Sequence, residues 1–485
     1  MASPRLVHRT TALAAIIALA SASAPPALAV VADEPAPPVI AAYSLAAPRS
    51  EVPSGLVARA VVPGGTRCPT LQVARGADRP VRFVQMTVRP TPARTAPAFD
   101  AITVCSAPLP VGATEASISG VVVPAAMPTS VDRLAMLGDS GCRIASWQVQ
   151  DCASQAAWPL ALIAQSVADE QPDAVLFNGD FFYREAACPA ASQAMCGSSP
   201  PPIAGLPFTD SAYGWIADAL LPMSPMLAAA PLIVTRGNHE ACYRGGNGFF
   251  LLFDPREGTQ DTCSPISTAA GLVAADTLPT PTYAIDLAVR DGRTLRLAIV
   301  DSAGGSDNAV TSFAAIQRPA YARAADITQA RSGHESWLVT HRPLYGFVTA
   351  AFAQPGQPFN PWGSMDQAAA ADGLLGSYDL VFSSHMHIAQ SVQLLGLPGQ
   401  LILGNAGTLL DPATGYPLPT SGPQISATQG YPAPTWGWVG VRFGYAMASP
   451  QAERGSWRIT MKDPTGLAFA RCGLASRELY CRDQT

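Results

Sequence analysis

The chain has 485 residues, of which 48% are hydrophobic, 13% are charged and six are histidines. Charged residues run near half the usual share of about 25%, yet the apolar content is ordinary, which excludes disorder driven by charge. Thirty Lys and Arg against 35 Asp and Glu leave a formal charge of −5 with no basic block, so the electrostatic footprint of a nucleic-acid binder is missing.

Residues 1–29 read as a secretory signal. Arg5 and Arg9 precede an uncharged, Ala-rich stretch from Ala12 to Ala24, which closes on the small-x-small pattern Ala27-Leu28-Ala29. The apolar stretch is about a dozen residues, short of the ~20 that a spanning helix needs. Cleavage before Val30 is expected, with export to a periplasm or beyond the cell and no membrane span afterwards. Residues 30–52 are rich in Pro and Ala and look like a flexible leader. From Gly55 to Pro128 come short β-type runs, including Val81 to Val88 and Ala101 to Cys105, broken by Pro and Gly. Residues 30–130 are therefore expected to form a leader and a small β-rich domain.

After Val131 the pattern changes to strands alternating with helical stretches, the signature of α/β architecture. Residues 131–485 are read as one catalytic domain ending in β segments. Strands are predicted at Arg133–Leu137, Ala174–Phe177, Leu232–Thr235, Tyr283–Ala288, Leu295–Val300, Trp337–Thr340, Leu380–Ser383 and Leu401–Leu403. Between the first two, Ala157, Leu160, Ile163, Ala164 and Val167 keep helical spacing, which predicts a helix within Ser154–Glu170. The Pro/Ser/Gly-rich stretches Cys188–Pro207 and Thr414–Pro434 read as loops, and Trp436 to Tyr480 returns to β-type runs.

All ten cysteines lie beyond the signal, and none forms a Cys-x-x-Cys motif. Export argues for disulfides. Spacing alone does not fix the connectivity; the expectation is sequential pairing, Cys68–Cys105, Cys142–Cys152, Cys188–Cys196, Cys242–Cys263 and Cys472–Cys481.

Five of the predicted strands end in residues that carry chemistry. In chain order these are Gly138-Asp139-Ser140-Gly141, Gly179-Asp180-Phe181-Phe182-Tyr183, Gly237-Asn238-His239-Glu240, Thr340-His341-Arg342-Pro343 and Ser384-His385-Met386-His387. Each follows the carboxyl end of an apolar run, where open α/β sheets place their ligand sites. Oxygen and imidazole donors converging at one edge suit two first-row metal ions that share a carboxylate. His8 leaves with the signal, and four of the five remaining histidines fall in these motifs; only His334 stands outside.

The order and content of these segments resemble the calcineurin-like metallophosphoesterases and, within them, the purple acid phosphatases. The matched core runs from about Leu134 to Leu410. The resemblance implies a four-layer α/β/β/α sandwich, here preceded by the small β-rich domain. It also implies a dinuclear centre, with Asp139, Tyr183 and His387 on iron(III), Asn238, His341 and His385 on zinc, iron or manganese, and Asp180 bridging the two. Gly141 stands where most of the superfamily places a histidine, and Tyr183 follows Asp180 by three, as in the purple subgroup. A phenol of pKa ~10 ligates only when a strongly polarising cation deprotonates it. Ser384 departs from the glycine usual before the first of the paired histidines.

The implied reaction is hydrolysis of phosphoric monoesters: a water or hydroxide activated between the ions attacks phosphorus, and His239 protonates the leaving alkoxide. Arg184, Arg244 and Arg342 are candidates to fork the phosphate oxygens of a small phosphorylated substrate. A phosphodiesterase or nucleotide pyrophosphatase using the same site is the nearest alternative, and a non-catalytic, metal-containing binding protein is a further one. Tyr416, Tyr431, Trp436 and Trp438 could line a substrate wall, although core packing is the plainer role for them.

Overall fold

The computed structural model describes residues 38–76, 79–91, 98–197, 210–257, 279–329, 334–347, 364–412 and 434–484. The proposed signal and its cleavage point lie outside these residues, as do Tyr416 and Tyr431.

Two sheets stack face to face. The first runs in the order Glu478–Asp483, Ala468–Ala475, Trp457–Lys462, Tyr445–Pro450, Leu134–Leu137, Ala174–Phe177, Leu232–Val234, Ala41–Ala46, Leu56–Pro63, Ile102–Pro108 and Thr87–Val88. The second runs Tyr283–Ala288, Thr294–Val300, Glu335–Thr340, Leu380–Ser383, Gly399–Leu403, Ala389–Leu394 and Pro434–Gly440. Successive side chains of a strand point to opposite faces, and both faces here are covered. Leu134, Met136, Leu176 and Ile233 pack against Leu297, Trp337, Val339 and Phe382 between the sheets. The alternate residues Ala135, Leu137, Val175 and Phe177 meet the helix Leu160–Asp169 on the outside of the first sheet. Val300, Leu338 and Val381 meet the helix Ser312–Gln329 outside the second. The result is the expected α/β/β/α sandwich. Continuous burial on both faces explains why these strands read as apolar runs rather than as alternating patterns.

The predicted strands of this core appear with ends shifted by a residue or two. The first helix begins only at Leu160 because Pro159 is its N-cap, a position that suits a residue without an N–H.

The segment before residue 130 divides between two sheets. Residues Thr70–Ala74, Arg82–Gln85, Glu115–Ile118 and Val121–Val123 form a small four-stranded sheet, which is the β-rich module. The flexible leader expected over 30–52 is corrected in part, because Ala41–Ala46 is a buried strand inside the large sheet, antiparallel to Leu56–Pro63 and parallel to Leu232–Val234. Its short Ala/Ser/Leu composition hid it. What stabilises it is tertiary burial, with Tyr43 reaching Leu252 O at 2.7 Å.

Four of the expected disulfides form among the described residues, Cys68–Cys105, Cys142–Cys152, Cys188–Cys196 and Cys472–Cys481. The fifth involves Cys263, outside them. Four disulfides fit an oxidising compartment. Among the described residues no helix is long and apolar enough to cross a membrane.

Candidate metal centre

The parallel strands are in register, with Phe177 opposite both Leu137 and Val234, so the turns after them leave the sheet at one level. Those turns are backbone-tight. Asp139, Asp180 and His385 all have φ between 57° and 71°, a region that non-glycine residues visit rarely and that clusters at functional sites. Ser384 needs no glycine because the positive φ falls on His385, and its hydroxyl donates to Leu403 O at 2.9 Å. Gly237 does need to be glycine, since a Cβ there would stand 2.2 Å from Asp180 Oδ1.

Tyr183 OH lies 3.1 Å from Asp139 Oδ1, 2.7 Å from Asp180 Oδ2 and 3.0 Å from His387 Nε2. The phenol oxygen thus stands among two carboxylate oxygens and an imidazole nitrogen, a donor set a shared cation would bind. Burial pushes the His387 ring well down in pKa, and the nearby Arg143 charge adds to this, so the imidazole is neutral and offers a lone pair.

The second group has the same character. His341 Nδ1 is 2.7 Å from Asn178 O; a carbonyl only accepts, so Nδ1 carries the proton. Nε2 then faces Asn238 Oδ1 at 3.0 Å and Asp180 Oδ2 at 3.3 Å. One imidazole nitrogen, an amide oxygen and a carboxylate oxygen meeting in this way are a donor set that suits a metal ion, and a backbone carbonyl behind a histidine is the usual support for a metal ligand. Asp180, His341 and His385 bring ligand atoms within 4.8 Å of one another. His385 Nε2 stands 3.1 Å from Asp307 Oδ2, a carboxylate that also pairs with Arg342. The same Nε2 lies 3.2 Å from Arg342 Nη1. Burial would raise the Asp307 carboxyl, but Arg342 and His385 outweigh it and hold it well below the usual range.

All seven proposed ligands thus gather at one edge, with Asp180 touching both groups. His239 lies beside them: its backbone N–H donates to Asp180 Oδ1 at 2.8 Å, and its ring Nε2 is 3.9 Å from Asp180 Oδ2. Burial, helped by Arg244, pushes this imidazole down to about 4 against the pull of Glu185 and Asp180, so its doubly protonated form is populated in acid.

The three candidate arginines are placed differently. Arg244 pairs with Glu185 and sets Nη2 3.0 Å from His239 Nε2. Arg342 sits at the His385 side of the site, on Asp307. Arg184 is buried, with Nε on Asp218 Oδ1 at 2.6 Å and Nη1 on Cys196 O at 2.8 Å, and is committed to holding the loop. Trp438 is buried in the core between the sheets.

Four supporting residues escaped the sequence reading. Glu240 accepts the N–H groups of Asp180, Phe181, Phe182 and Gly237, which clamps the second and third motifs together. Asp218 accepts from Tyr183 N at 2.8 Å and Cys142 N at 3.2 Å as well as from Arg184; burial raises its carboxyl against those donors. Glu185 and Asp307 stand behind His239 and His385. Glu185 and Glu240 lie inside or beside the motifs, so an acid close to a ligand was a usable signal, whereas Asp218 and Asp307 offered none.

The family profile described as calcineurin-like phosphoesterase matches residues 133–389. The chain belongs to that family, which couples two metal ions to phosphoester chemistry. No curated protein sequence matches it. Among solved structures it is similar to a purple acid phosphatase from seeds of yellow lupin (Lupinus luteus), with a TM-score of 0.52 and 13% identity over 91% of this chain and 73% of that one. It is also similar to PhoD, with a TM-score of 0.51 and 11% identity over 94% of each chain. At such identities the likeness is one of fold.

Proposed function

We propose that this chain is an exported phosphoesterase that hydrolyses phosphoric monoesters at a dinuclear centre, with iron(III) held by Asp139, Tyr183 and His387. A divalent zinc, iron or manganese ion would be held by Asn238, His341 and His385, with Asp180 shared. One observation carries the reading: two groups of oxygen and nitrogen ligand atoms, Tyr183 with Asp139 and His387 and His341 with Asn238, meet at Asp180. When bound, the ions supply Lewis acidity, polarising the phosphoryl group and acidifying a water molecule. Residues of the chain do the rest. The tight turns at Asp139, Asp180 and His385 fix the donor positions. His239 holds a proton at the side of Asp180 and delivers it to the leaving oxygen, while Glu185 and Arg244 keep its ring in place. Four disulfides support export to an oxidising compartment.

The test is hydrolysis of an aryl monoester and the matching diester by metal-loaded protein. Preference for the monoester is expected. A preference of at least about tenfold for the diester, or ~1.4 kcal/mol in transition-state binding, would overturn the choice of substrate class. Absence of both activities would overturn the enzyme reading itself.

A further inference from the structure

Directly after Asp139 the chain makes a small hairpin, Ile144–Ala145 against Gln148–Val149, with Trp147 at its turn. Two-residue strands do not hold themselves together in water, and this hairpin is fixed from outside. The Cys142–Cys152 disulfide closes its base. Ile144 N donates to Tyr183 O at 3.0 Å, and Ile144 O accepts from Glu185 N at 2.9 Å, so the hairpin is bonded to the same backbone that carries Tyr183. Trp147 is 73% exposed, a large apolar ring left in water beside the site. Between it and the metal-ligand groups stands Arg143, whose guanidinium carbon is 4.7 Å from the Tyr183 ring centroid and 5.8 Å from that of Trp147.

A flat ring in solvent, a cation next to it and a rigid tie to a ligand-bearing loop make a subsite for a flat group joined to an anion. We infer that Trp147 is the platform for the leaving group, and that the substrates are phosphoric esters whose leaving alcohol carries a flat ring, aryl and nucleoside phosphates included. The phosphoryl group occupies the Asp180 side, Arg143 supplies positive charge along its approach, and the ring of the leaving group stacks on the indole. Stacking of a base or aryl ring on an aromatic side chain is sequence-tolerant because it uses only the π-face. This assignment rests on the phosphoesterase reading of the site.

Two non-hydrolysable probes of like charge test it without relying on turnover. Calorimetric binding of phenylphosphonate and methylphosphonate to the metal-loaded protein should show the phenyl compound bound roughly tenfold more tightly, as loss of one stacking contact predicts. Trp147→Ala should erase that difference while leaving methylphosphonate affinity unchanged, and Trp147→Phe should keep most of it. Equal affinities in the parent protein, or a preference that survives Trp147→Ala, would overturn the platform alone. If neither phosphonate binds, the phosphoesterase reading falls and the platform falls with it.

Discussion

His239 Nδ1 lies 2.6 Å from Glu185 Oε1, with both side chains almost fully buried. Burial alone would raise the Glu185 carboxyl, but His239 and Arg244 outweigh it and hold it down at about 2. The acid is therefore a fixed anion behind the imidazole, and it sets which nitrogen faces Asp180. His239→Ala should lower kcat by about 10²–10⁴-fold, the range for loss of a general acid, with metal content unchanged. Glu185→Gln keeps the ring and removes the anion, so its loss should be smaller, on the order of tenfold. Turnover and metal analysis on both variants check the order. Equal losses would make Glu185 part of the proton donor itself, and an undiminished His239→Ala enzyme would remove the imidazole from the mechanism.

Tyr183 gives a second, spectroscopic test. In the buried site, desolvation and the Asp180 and Asp139 charges push its phenol well above the ordinary value, so tyrosinate forms only if a strongly polarising cation joins the group. Protein loaded with iron should show a visible charge-transfer band, and Tyr183→Phe should lose the band while keeping Asp139, His387 and Asp180. A colourless, iron-free and fully active parent enzyme would reject the iron(III) assignment and leave Tyr183 as a wall residue.

The candidate ligands could be picked out in the sequence because they fall one to six residues beyond the ends of apolar strands, where apolar runs and Gly turns are local signals. The core strands were legible for the same reason. Ala41–Ala46 was not, since its pairing partners lie far along the chain and its own residues have little β character. The residues that hold the ligands were harder still. Glu240 reads as a helix-turn acid until its four N–H donors from two loops are seen, and Asp307 reaches His385 across 78 positions of sequence. Contacts made by apposition of distant loops leave no spacing to read.

Arg184 and Asp218 form a buried pair behind the site, with side chains 2% and 0% exposed. Asp218→Ala would strand the guanidinium and free the N–H groups of Tyr183 and Cys142. Breaking such a pair from one side typically costs about 3–5 kcal/mol, and urea unfolding of the metal-free protein should report a loss of that order. The double variant Arg184→Met/Asp218→Ala should recover part of it, because no uncompensated charge remains. Recovery that fails to appear would place the cost in the two backbone N–H bonds rather than in the ion pair.

Asp307 offers the test that separates metal binding from chemistry. It accepts from His385 and pairs with Arg342, and it stands behind a proposed ligand without being one. Removing a carboxylate that orients a ligating histidine usually costs about 10–100-fold in metal affinity. Asp307→Asn should therefore weaken binding of the divalent ion by that factor in a competition titration with a chelator. Because His385 itself remains, kcat at saturating metal should return to near the parent value, and the iron band tied to Tyr183 should be unaffected. If Asp307 instead binds substrate through Arg342, metal affinity would hold and KM would rise. The two outcomes are opposite in the titration, so one measurement decides whether Asp307 works for the metal site or for the phosphate.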